Sequence, residues 1–250
     1  MRLEHFDKVI SKNKDFYSDV RDFVSPDPAR KKERNAFFEF ANIKSGARVL
    51  DFGCGTGSYT IPLLSKGCVV TAIDSSGVSL NILQEKSQRL NLSQNLERTI
   101  HGSLDDHIDE YKDYFDYVVF VDVLHHVADM KRTISHLQKV LKKGGYIIGM
   151  EPNGKFPLWR FYGLVTPTFV WKEEKGVRHC RVERFERIFK ELNLEDFSYR
   201  YWSLVPGILA NRMPLLFQLN DFLIQLRCVA QFSGFIMIKA KKADYGKETA

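Results

Sequence analysis

Residues 48–57 read RVLDFGCGTG. Val49, Leu50 and Asp51 continue an apolar run of strand type, and glycines follow at once at alternate positions 53, 55 and 57. Such a sequence predicts a tight strand-to-helix turn. Glycine tolerates positive φ and carries no Cβ, so the backbone bends sharply and a ligand can approach the amide groups closely. A dinucleotide fingerprint would need a glycine at position 58, where the chain has Ser58, and a phosphate-cradling loop would need a Gly-Lys-Ser/Thr ending that is absent.

The acid, single spacer and GxGxG of Asp51, Phe52, Gly53, Gly55 and Gly57 resemble motif I of the class I S-adenosylmethionine-dependent methyltransferases. The resemblance implies an α/β fold: a Rossmann-like doubly wound sheet of seven strands, mostly parallel with the last antiparallel, preceded by N-terminal lid helices. It implies S-adenosyl-L-methionine as the cofactor, its methionine portion held by the glycine turn. An Asp there, rather than a Lys, suits a ligand with an ammonium group. The opposing reading is a glycine-rich turn that binds nothing.

At 250 residues, 44% hydrophobic and 27% charged, the chain is an ordinary globular protein long enough to bury about 70% of its unfolded surface. The first ten residues are broken by Arg2, Glu4, Asp7 and Lys8, so no secretory signal is expected. Cys54, Cys68, Cys180 and Cys228 are scattered without CxxC spacing, which suggests neither a metal site nor a disulfide framework and points to a reducing, cytoplasmic compartment. The net charge of +6 lies largely at 30–34 and 239–242 rather than along a basic face interleaved with aromatics, so it reads as solubility and not as a nucleic-acid footprint.

Apolar residues at helical spacing predict one or two helices over 1–24 and another over 29–41, separated by Ser25-Pro26-Asp27-Pro28. In the resembled family such helices cover the cofactor, which would place Tyr17 at the site; packing on the sheet is the alternative. A second strand, 68–73, ends in Asp74, about 20 residues past the first turn, where an acid can accept hydrogen bonds from two ribose hydroxyls. An Asp there could instead cap the next helix, but Ser75 and Ser76 are available for that.

A helix over 78–90 and a third strand over 96–100 lead to Ser103, Leu104 and Asp105. The resemblance places these three against the adenine, Leu104 as an apolar wall and Asp105 as acceptor for the amino group. Ser103 stands where the family commonly has Asp. The fourth strand, 117–121, runs into Asp122-Val123-Leu124-His125-His126, the turn that in this family passes under the adenosine and faces the acceptor. A helix over 130–141 should end on Lys142-Lys143-Gly144-Gly145, basic at its carbonyl end with a glycine cap. The fifth strand, 146–150, closes with Glu151, and right-handed crossovers are expected throughout.

The cofactor-binding set is thus Asp51, Gly53, Cys54, Gly55, Gly57, Asp74, Ser75, Ser103, Leu104, Asp105, Asp122 and Tyr17. Candidate catalytic residues are His125, His126 and Glu151, at the strand ends where doubly wound folds bind ligands; His has the pKa best suited to a general base near neutrality. Packing or helix capping is the alternative for each histidine. His179 and Arg181 are expected near the same rim, and no metal is expected.

Beyond Asn153 come an aromatic stretch over 156–171 with Trp159, Phe161, Tyr162, Phe169 and Trp171, a helix over 182–192, a strand over 196–202, and a final strand over 232–241. The Leu, Ile and Phe-rich stretch 204–227 is broken by Arg212 and Asp221, so it cannot span a membrane. One methyltransferase domain over 1–242 is expected: helices over 1–44, a cofactor-binding core over 45–153, an acceptor-side half over 154–242, and then a disordered tail, 243–250.

The function these features support is methyl transfer to an O, N or C atom of a small apolar or aromatic molecule. Two alternatives are a tRNA or protein methyltransferase and an inactive cofactor-binding subunit.

Overall fold

The computed structural model describes residues 7, 8, 10–159 and 174–244. One seven-stranded sheet organises it. Strands β1 (Arg48–Phe52), β2 (Val69–Asp74), β3 (Leu96–His101), β4 (Phe115–Val121), β5 (Leu141–Pro152), β6 (Leu194–Trp202) and β7 (Phe235–Lys242) lie in the order β3-β2-β1-β4-β5-β7-β6. The first five pair in parallel, and β7 runs antiparallel between β5 and β6. The order reverses between β1 and β4, and an open α/β sheet leaves a crevice at such a switch point.

The strands are apolar on both faces because both faces are covered. Val49, Val70, Val119 and Ile148 face a core shared with α3 (Pro28–Ala41), α4 (Thr60–Ser65) and α5 (Gly77–Arg89), which contribute Phe37, Ile61, Leu64 and Leu83. Leu50, Val118, Phe120 and Ile147 face the other core, filled by Ile134 and Leu137 of α6 (Met130–Val140) and by Phe185 and Phe189 of α7 (Val182–Glu191). Local signals start the helices: Asp27 caps α3 with Pro28 in its first turn, Ser76 caps α5, and Asp129 caps α6, each accepting a backbone N–H. The helical segments before α3 include α1 (Lys14–Ser18) and α2 (Arg21–Val24), and α1 packs on α5.

Element boundaries differ from expectation chiefly at the α6–β5 junction and at the start of β7. The glycine cap expected at Gly144-Gly145 does not form. Helix α6 stops at Val140, and Leu141 turns directly into β5, already paired with Phe115 of β4. Lys142 binds Asp116 at 2.6 Å instead of capping carbonyls. Strand β7 begins at Phe235 rather than 232, because the apolar stretch before it folds into α8 (Gly207–Arg212), α9 (Leu215–Leu223) and α10 (Arg227–Ala230). Most of the aromatic stretch expected over 156–171, including Phe161, Tyr162, Phe169 and Trp171, lies outside the described residues, as does the tail beyond Asp244.

Candidate active site

The turn after β1 is held by its neighbours. Ile73, at the end of β2, accepts hydrogen bonds from the backbone N–H of Gly53 (2.8 Å) and Cys54 (3.1 Å). Asp74 closes the same strand; its Oδ2 accepts from Gly55 N–H at 2.8 Å and its Oδ1 from Ser76 N–H at 2.8 Å. Lys86 reaches from α5 to the Thr56 carbonyl at 3.0 Å. Gly55 has φ +51°, and no atom lies within 4 Å of the position a Cβ would take; at Gly102, after β3, the same holds with φ +130°. The C-terminal ends of β1, β2 and β3 therefore surround an open cradle of bare backbone with a carboxylate at its centre. That arrangement fits an adenosine-type cofactor whose ribose hydroxyls need an acceptor. Burial raises the Asp74 pKa, while its two backbone hydrogen bonds oppose the rise.

Other members of the expected cofactor set also have partners within the chain. Asp51 is buried; its Oδ2 accepts from Thr60 Oγ1 at 2.6 Å, and burial pushes its pKa up to about 7. That bond ties β1 to the start of α4. Asp105, expected at the adenine, instead pairs with Arg132 (3.1 Å) and His136 (2.6 Å), which sit one turn apart on α6. Its neighbour Ser103 starts a 3₁₀ turn by accepting from Asp105 N–H, which aims the acid at that helix. Leu104 is buried in the core, and Cys54 is buried with its thiol pKa pushed well up. The Ser75 carbonyl lies 3.0 Å from His101 Nε2. Tyr17 is half-buried on α1, edge-on to Phe16.

At the end of β5, Glu151 is 0% exposed. Its Oε1 accepts from the N–H groups of Val123 (2.8 Å) and Leu124 (2.7 Å), and its Oε2 accepts from His125 N–H (3.3 Å) and lies 2.6 Å from His125 Nδ1. The other ring nitrogen, Nε2, is 3.2 Å from Glu174. Burial alone would lower the His125 pKa. The hydrogen bond and charge of Glu151, with Glu174 and Asp122 adding to them, outweigh it and raise the value to about 10. The imidazole is therefore a buried cation between two carboxylates. His126 lies beside it, ring centroids 3.9 Å apart. His125, His126 and Glu174 bring potential ligand atoms within 4.8 Å of one another.

Asp122 ends β4 with φ +56° and borders a cavity of about 400 Å³. By surface area it is exposed, and it forms part of the cavity lining. Desolvation raises its pKa; His125 opposes this, Glu151, Glu33 and Glu174 reinforce it, and the result is about 7. The cavity walls include Glu33 on α3, Tyr59, Phe156, Trp159, Trp202 and Phe217. Tyr59 donates to Glu33 at 3.2 Å, and Trp159 donates from Nε1 to the Asn153 carbonyl at 2.7 Å. Sequence reasoning missed Glu33, Tyr59, Trp202 and Glu174 as site residues. Tyr59 directly follows the glycine turn, whereas Glu33, Trp202 and Glu174 belong to stretches far along the chain that the fold brings together. His179 and Arg181 are exposed and share a basic surface with Arg178, Arg184 and Arg187.

A model of the methyltransferase domain matches residues 20–199. The chain belongs to the methyltransferase domain family, as a class I S-adenosylmethionine-dependent methyltransferase. Among its relatives is a demethylmenaquinone methyltransferase of Bacillus velezensis, 25% identical over 228 residues and covering 83% of this chain and 94% of the relative. A ubiquinone biosynthesis O-methyltransferase of a Bradyrhizobium species is 29% identical over 142 residues, 57% of this chain and 52% of the relative. Phosphoethanolamine N-methyltransferase 2 of Haemonchus contortus, solved with phosphomonomethylethanolamine and S-adenosylhomocysteine, shares the fold with a TM-score of 0.66 at 17% identity over 96% of this chain and 60% of that one.

Two tests follow from this methyltransferase's geometry. Gly55→Val should still fold, because the space is open, at a cost of about 1–2 kcal/mol for the left-handed backbone, and should lose S-adenosylhomocysteine binding. Asp74→Ala should weaken that binding by about 1.5–3 kcal/mol in calorimetry, and unchanged affinity in either variant would remove the cradle from the account. The second test concerns His125. A histidine whose folded pKa lies above its unfolded one stabilises the fold fully below about 6.5, and that contribution is lost as pH rises towards about 10. His125→Ala leaves the buried Glu151 charge without its cation and should cost about 3–5 kcal/mol in urea denaturation near neutrality. The deficit should shrink at alkaline pH.

Proposed function

We propose that the chain methylates an apolar aromatic molecule of the quinol type, seated in the cavity beside Asp122, with Asp122 as the general base. The observation that carries this reading is Asp122, a carboxylate with its pKa raised to about 7, on the wall of a cavity that combines the rings of Phe156, Trp159, Trp202, Phe217 and Phe235 with polar side chains that include Asp27, Arg30, Glu33 and Asn220. A concave site that joins aromatic rings with convergent polar groups suits a small organic ligand. Bound S-adenosylmethionine supplies an electrophilic methyl group on a sulfonium. What remains for the protein is to align the acceptor, exclude water and take the acceptor's proton.

A base poised near the working pH has both the free lone pair and the driving force for that transfer. A quinol hydroxyl, or the ring carbon activated by it, gives up a proton as the new bond to carbon forms, and Asp122 Oδ receives it. His125 and Glu151 act as positioning residues: Glu151 gathers the amides of 123–125 and so fixes where Asp122 points, and the His125 cation balances the acids around it. Asp51, Gly53, Gly55, Gly57 and Asp74 form the cofactor side. The relatives' names, a demethylmenaquinone and a ubiquinone-pathway methyltransferase, support the choice of acceptor class. A cytoplasmic location goes with four free cysteines and with the lack, among the described residues, of any helix long and apolar enough to cross a membrane.

The test is Asp122→Asn with a water-soluble quinol and labelled cofactor. Wild-type kcat/KM should rise with pH through about 7, as the carboxylate deprotonates. In the variant that limb should vanish and kcat should fall by about 10²–10⁴, with cofactor affinity nearly unchanged. Retention of the limb would move the base to another group, and methyl incorporation into tRNA but no quinol would replace the acceptor class.

A further inference from the structure

Helix α9 has two faces with different duties. Its inner face places Phe217 and Asn220 on the cavity wall, and Asn220 Oδ1 accepts from the backbone N–H of Leu204 (2.7 Å) and Val205 (3.3 Å), tying the helix to the body. Its outer face is apolar and, among the described residues, uncovered: Leu215 is 71% exposed, Leu219 45%, Phe222 61% and, just beyond the helix, Leu226 41%. The spacing of four, three and four residues puts all four on one stripe. Exposed Met213 extends it.

We propose that this stripe seats the protein on the surface of an anionic lipid bilayer. Burying four large apolar side chains there offsets their present contact with water, as an interfacial amphipathic helix does. The charge pattern selects this occupant. Between residues 205 and 234 the cations are Arg212 and Arg227, one at each end of the stripe and both exposed, and the one acid is Asp221. Asp221 is engaged by Lys32 of α3 at 2.5 Å. A second copy of the chain packed on the stripe would bring arginines to a face that offers no open acid, whereas anionic headgroups complement both. The proposal rests on the apolar-acceptor reading in one respect: α9 is also a wall of the cavity, so a lipid-soluble acceptor would pass from the bilayer into the site along the same element.

Flotation of the full chain with vesicles of phosphatidylcholine, alone or mixed equally with phosphatidylglycerol, tests it. The wild type should float with the mixed vesicles. L219D/F222D should lose at least about tenfold in partitioning, and R212Q/R227Q should lose about tenfold or more on the mixed vesicles. Neither pair lines the cavity. Turnover of a water-soluble acceptor by L219D/F222D should match the wild type, which separates lost docking from lost folding. If no quinol is turned over but the vesicle pattern holds, the acceptor reading fails and the surface stands. A wild type that ignores both vesicles, a variant that floats equally well, or a dimer in ultracentrifugation that L219D/F222D dissolves without any vesicle binding would overturn the proposal.

Discussion

Carboxylates at the ends of two strands hold the turns of the strands beside them. Asp74 ends β2 and takes the Gly55 amide of the turn after β1; Glu151 ends β5 and takes the amides of 123–125 after β4. A parallel sheet leaves its carboxyl edge as a row of chain reversals whose N–H groups lack ladder partners, and buried amides without acceptors are costly. The two acids satisfy them and lie on either side of the β1/β4 switch point. Val123 completes the link between the two turns by filling the space where Gly53 has no side chain.

That arrangement also sets the electrostatics. Glu151 is wholly buried, and one cation, His125, stands close to it. The surplus of negative charge from Glu151, Glu33 and Glu174 then reinforces the desolvation of Asp122 and keeps its carboxyl near pKa 7 rather than 4. A group that braces the site thus tunes the neighbour that faces the cavity. The histidine best suited to base chemistry by its free pKa is, in place, held protonated by the carboxylates around it.

Much of this was legible in the residues. The strand-glycine-helix reading of 48–57, the acid ending β2 and the Ser76 cap depend on local pattern, which a sequence displays, whereas the antiparallel last strand came with the family resemblance. The pairing of Asp105 with Arg132 and His136 was not legible, because a motif position says nothing of a helix two elements later. The helix-to-strand junction at Leu141 escaped notice for the same reason: its pairing with Phe115 overrides a local signal for a glycine cap. The cavity itself is assembled from α3, the β1 and β4 turns, the end of β6 and α9, so no single stretch announces it.

The central claim is that the open backbone at the ends of β1, β2 and β3 is where the cofactor lies. A titration of the ¹⁵N-labelled chain with S-adenosylhomocysteine reads it directly. The amide resonances of Gly53, Gly55, Gly57 and Gly102 should move together and saturate at one affinity, while Gly144 and Gly149 on β5 stay in place. Saturable binding that leaves Gly55 and Gly102 unmoved would contradict the account.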